Sequence, residues 1–164
     1  MPTAHYLFSR NKKCGSKLIS WSSKLFTSHV KNVDPLKIPS HVAVLIDETY
    51  VIESTLTTGV RIIPYNKWKL INEELYKIPK AGKGECHKCL LFEVWGKKYD
   101  WFGIGYFMYQ ITKHLLFKTE LPNKNKWERE NYFFCTEFAA RLEGYNYSMT
   151  TPAKMCNDLL EGVK

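Results

Sequence analysis

The sequence predicts an α+β fold in which a small antiparallel sheet packs against helices. Three observations carry that prediction. Residues 41–47 and 50–55 are two runs rich in β-branched side chains separated by a short polar connection, which reads as a hairpin. Phe134, Phe138 and Leu142 recur four apart after an aromatic stretch, so a helix starts near Cys135. Thr151-Pro152 precedes another mixed run with a hydroxyl cap and a proline at the first helical position.

In chain order, residues 15–26 set Leu18, Ile19, Trp21, Leu25 and Phe26 among Ser and Lys, the pattern of an amphipathic helix. A polar loop through Asp34-Pro35 and Pro39 leads to the hairpin. Residues 59–63 suit a third strand before Pro64, and residues 75–80 a fourth. From Cys89 to Leu116 aromatic and aliphatic residues are too dense for strand alternation, and the expectation is mostly helix, broken near Gly96 and Asp100. The Cys135 helix should stop at Gly144, and the last helix should reach about Leu160.

The 164 residues suit one domain, 1–164, burying about 70% of the surface of the unfolded chain. Apolar residues are 45%, aromatic 15% and charged 24%, which excludes a disordered tail, a collagen-like fibre and a disulfide-built miniprotein. The longest uncharged run is the 12 residues from Trp101 to Thr112, well below the roughly 20 of a transmembrane helix. The first ten residues lack the charged and apolar regions of an export signal, and a cytoplasmic location is expected. Five cysteines, an odd number without such a signal, are read as thiols. The net charge of +8 permits attraction to an anionic polymer or membrane surface. Its scattered lysines do not specify nucleic acid.

Two features can carry chemistry. Cys135 falls where an aromatic segment turns into a helix, and a cysteine in a first helical turn lies near the positive end of the dipole, which favours thiolate. The bland alternative is a small buried residue beneath Phe133 and Phe134. His41 opens the hairpin's first strand. A three-residue connection from Asp47 to Thr49 would pair Ile46 with Tyr50 and set His41 and Glu53 on one face as diagonal neighbours. A carboxylate there can fix the imidazole tautomer, whereas a shift of one residue in register would turn Glu53 to solvent. Cys86-His87-Lys88-Cys89 has half of a zinc site, but no second pair completes it, and neither a metal nor a cofactor is expected. Tyr65-Asn66-Lys67-Trp68-Lys69 could stack on bases, but aromatic packing under lysine stems is the commoner meaning.

The run from Ser40 to Asp47, then Val51-Ile52-Glu53-Ser54, and far downstream Phe134-Cys135-Thr136-Glu137-Phe138-Ala139, resembles the permuted branch of the NlpC-like, papain-fold cysteine peptidases and amidases. The histidine strand precedes the cysteine helix, as in permuted members. Residues 96–101 are similar to the segment before the nucleophile helix, and Leu7-Phe8-Ser9-Arg10 with residues 15–19 to the opening of bacterial and phage members. The resemblance implies a permuted papain-like fold and cleavage of an amide in a peptidoglycan peptide or other peptide-like substrate. It implies Cys135 as nucleophile, His41 as general base and acid, and Glu53 as the group orienting His41. Acyltransferases similar to lecithin-retinol acyltransferase share the permuted order, so lipid acyl transfer or thioester cleavage is the enzymatic alternative, and a non-catalytic basic binding module the other. His29, in Ser28-His29-Val30, is a second histidine at a similar place. His41 is preferred because a full apolar strand follows it, while Val30 leads into the turn-like Lys31-Asn32-Val33-Asp34-Pro35. The Cys135 backbone N–H is a natural oxyanion donor, and the second donor is open.

Overall fold

The computed structural model describes residues 4–11, 30–80, 94–120, 122, 126, 132–141 and 150–162. Its strands are β1 (Ala4–Asn11), β2 (His41–Ile46), β3 (Tyr50–Thr55), β4 (Gly59–Pro64) and β5 (Asn72–Pro79). The helices are α1 (Tyr65–Ile71), α2 (Trp101–Phe117), α3 (Cys135–Arg141) and α4 (Pro152–Gly162). The strands form one sheet in the order β4-β3-β2-β1-β5, with every neighbouring pair antiparallel. The α+β expectation holds.

Period-two alternation divides the sheet into two apolar faces. Tyr6, Phe8, Val42, Val44, Ile52, Val60 and Ile78 pack against Phe138 and Ala139 of α3 and Met155 and Cys156 of α4. Leu7, Ala43, Leu45 and Val51 pack on the other face against Trp68 of α1. β1 is a strand that sequence reasoning does not predict. It lies between β2 and β5 and buries Tyr6, Leu7, Phe8 and Ser9 in succession, so covering both of its faces erases the alternation that would announce it.

The hairpin register is the predicted one, with Ile46 opposite Tyr50. Asp47 and Glu48 take φ values of 49° and 56°, and Thr49 N–H donates to the Ile46 carbonyl at 3.0 Å, closing the turn. β4 runs one residue past its predicted end, and β5 starts three residues before its predicted start. The Tyr65–Lys69 segment forms α1 and buries Trp68 completely, with Lys69 Nζ 4.3 Å from the Tyr65 ring centroid. That is the packing meaning of its aromatic and lysine pattern.

The helical break at Asp100 is a cap: its side chain accepts from Gly103 N–H at 2.9 Å and α2 begins at the next residue. Cys135 opens α3 as predicted. Glu137, three residues after Phe134, accepts from Phe134 N–H at 3.3 Å, which is half of a capping box. α4 begins at Pro152, with Thr151 Oγ1 accepting from Lys154 N–H at 3.2 Å, and extends two residues past Leu160. The helix expected over 15–26, the stop at Gly144, His29 and the Cys86–Cys89 pair lie outside the described residues.

Candidate active site

β2 places His41 at its first residue, opposite Ser9 of β1. β3 returns alongside it and presents Glu53 to the same side, because Val44 pairs with Ile52 and alternate residues share a face. His41 Nε2 lies 2.8 Å from Glu53 Oε2. Cys135 lies close enough to the imidazole to favour its charged form, and it lines the same cavity as His41 and Glu53. The structure therefore brings together all three residues singled out in the sequence.

Glu53 is 1% exposed and has a complete set of donors. Oε1 accepts from Arg61 Nε at 2.9 Å and Arg61 Nη2 at 2.6 Å. Oε2 accepts from Trp68 Nε1 at 3.0 Å as well as from His41. Burial alone would push this carboxyl up. The hydrogen bonds and charges of His41 and Arg61 outweigh it and hold the pKa at about 2. For His41 burial opposes the charged ring, but the proximity of Cys135 and the hydrogen bond and charge of Glu53 prevail and raise the pKa to about 10. The proton thus rests on the imidazole across the neutral range.

The approach to Cys135 is tied down by backbone contacts. Ser54 Oγ donates to the Phe133 carbonyl at 2.6 Å, and Phe133 N–H donates to the Lys98 carbonyl at 3.1 Å. Val60 N–H donates to the Lys97 carbonyl at 2.9 Å, which brings residues 97–98 against the start of β4. Only a glycine fits there: Gly59 has φ +67°, and a Cβ at this position would meet the Lys97 carbonyl oxygen at 2.2 Å. Farther along α3, Thr136 Oγ1 donates to the Thr150 carbonyl at 2.7 Å.

Cys135, His41, Glu53 and Arg61 line one cavity of about 470 Å³ with Tyr99, Ile71 and Leu56 among its other walls. The buried Tyr99 hydroxyl is held well above its usual pKa by burial and by the nearby charges of Cys135, Glu137 and Asp100, so it remains an O–H donor. Cys156 differs from Cys135: it is fully buried among apolar groups and burial pushes its thiol up to about 12. No group of three His, Cys, Asp or Glu side chains suited to a metal occurs among the described residues.

Sequence reasoning misses Arg61, Trp68 and Tyr99. Arg61 has a findable signal, since the β3–β4 register that pairs Thr55 with Gly59 sets Arg61 opposite Glu53. Trp68 depends on the short helix α1, whose lysines and aromatics carry no clear period, and Tyr99 on the packing of an irregular segment. In comparison with known proteins, no family model, curated protein or solved structure matches the chain.

Proposed function

We propose that this protein is a cysteine hydrolase that cleaves an amide bond in a peptide-like substrate through an acyl-enzyme. One observation carries the proposal: Cys135, His41 and Glu53 line the wall of one cavity, with His41 hydrogen-bonded to Glu53 at 2.8 Å. The nucleophilic sulfur attacks the carbonyl carbon, and the carbon–nitrogen bond breaks as His41 gives its proton to the departing amine. Water then adds to the thioester while His41 accepts its proton, and the carboxylic acid leaves as Cys135 is restored. The Cys135 backbone N–H and the Tyr99 hydroxyl are the donors suited to the oxyanion. The order of histidine strand and cysteine helix supports the permuted NlpC-like, papain-type reading, and peptidoglycan peptides fall within the substrate class. Leu56, Ile71 and Tyr99 in the cavity wall favour a second reading, in which the acyl group is that of a lipid or thioester.

The test is labelling with panels of peptide and lipid electrophiles, read by peptide mapping. Cys135 should react at neutral pH, Cys156 should not, and His41→Ala should slow the reaction by about tenfold or more through loss of the imidazolium partner. Preference for peptide electrophiles supports the amidase, and preference for lipid ones moves the proposal to acyl transfer. If Cys135 reacts no faster than Cys156 in any variant, the nucleophile is refuted and a non-catalytic binding module replaces it.

A further inference from the structure

α2 has apolar side chains on both sides. Tyr106 and Ile111 are buried, whereas Trp101, Phe102, Tyr109, Leu115, Leu116 and Phe117 are 49–71% exposed. A helix apolar all round is ordinarily enclosed, so an outer face of this size marks an interaction surface. Its spacing is regular, since Phe102, Tyr109 and Leu116 follow at seven-residue intervals and return to nearly the same side of the helix. Charge indicates what it meets. No acidic residue occurs from 101 to 119, Asp100 is buried in its capping bond, and Lys98, Lys113 and Lys118 stand exposed at the ends of the helix and along it.

We infer that α2 is a docking face for an anionic lipid bilayer, lying in the interface with its aromatic side chains at headgroup depth and its lysines on the lipid phosphates. Trp, Tyr and Phe with flanking lysines is the residue set that partitions to that boundary, where an acidic side chain would be repelled. The helix has 17 residues and is not long and apolar enough to cross, so it rests on the membrane. The surface adjoins the cavity. The Trp101 ring lies 5.8 Å from that of Tyr99, which lines the wall shared with Cys135.

Co-sedimentation with phosphatidylcholine vesicles, with and without phosphatidylserine, tests this on the full chain and needs no turnover. Binding is expected to the phosphatidylserine vesicles and to weaken with salt, with a loss of about fivefold for each of Lys98→Gln and Lys113→Gln. Leu116→Ser with Phe117→Ser, both at exposed positions, should lower it about tenfold or more while leaving thermal melting unchanged. Absence of vesicle binding, or binding indifferent to phosphatidylserine and salt, overturns the inference. A serine pair that instead abolishes self-association in size-exclusion chromatography, with no vesicle binding, assigns the face to a second copy of the chain and overturns it equally.

Discussion

Replacing Glu53 by Gln tests the buried centre of the site with almost no change of shape. The carboxylate receives two N–H groups of Arg61 on one oxygen and those of His41 and Trp68 on the other. Gln supplies only one oxygen. Its NH2 must face either the Arg61 pair or the His41–Trp68 pair, and neither arginine nor indole can turn acceptor. Hydrogen bonds to a charged group contribute about 1.5–3 kcal/mol each, and losing two is offset in part because no charge is buried any longer, leaving about 2–4 kcal/mol. The depression of the Glu53 pKa from 4.5 to about 2 corresponds independently to about 3 kcal/mol. Urea unfolding should show this loss, and thermal melting a drop of roughly 5–15 °C. Adding Arg61→Met should then cost less than in the native background, with a coupling of about 1 kcal/mol or more. A Glu53→Gln loss below about 1 kcal/mol, or additive effects of the two changes, would refute the idea that this carboxylate anchors the site.

The same groups set the pH dependence. Glu53, depressed from 4.5 to about 2, contributes stability that is present above pH 4.5 and lost as pH falls through about 2, so the difference between native protein and Glu53→Gln should shrink across that window in acid titrations. His41, raised from 6.5 to about 10, contributes stability that is complete below pH 6.5 and lost as pH rises through about 10, and Cys135→Ala should flatten that alkaline slope. Gly59→Ala should destabilise by about 2–3 kcal/mol in urea titration, because the Cβ meets backbone of residues 97 and 98 at a positive φ, and it should slow Cys135 labelling by shifting the segment joined to Phe133. A neutral Gly59→Ala would mean that residues 97–98 do not hold the approach to Cys135.

The parts of the fold legible in the sequence are those where local chemistry and tertiary packing agree. The β2–β3 hairpin has β-branched residues bounded by a polar turn, and its register follows from turn length, which is why His41 and Glu53 could be assigned to one face. α3 was legible from the four-residue spacing of Phe134 and Phe138, and α4 from its start signal Thr151-Pro152. β1 was not legible because a strand covered on both faces has no alternation, and its place between β2 and β5 arises from pairing distant in sequence. The same distinction divides the site. Cys135 and His41 carry chemistry in their residue type, whereas Arg61 and Trp68 join the site through a carboxylate that three different elements surround.

The most direct test of the Cys135–His41 pairing is the titration of the His41 ring followed by NMR, with His41→Ala used for assignment and Cys135→Ala for comparison. The ring should remain imidazolium through neutral pH and lose its proton near 10 in the native protein, then titrate at distinctly lower pH once Cys135 is replaced. A ring that titrates near 6.5 and is unmoved by Cys135→Ala would contradict a sulfur–imidazole pair at this site.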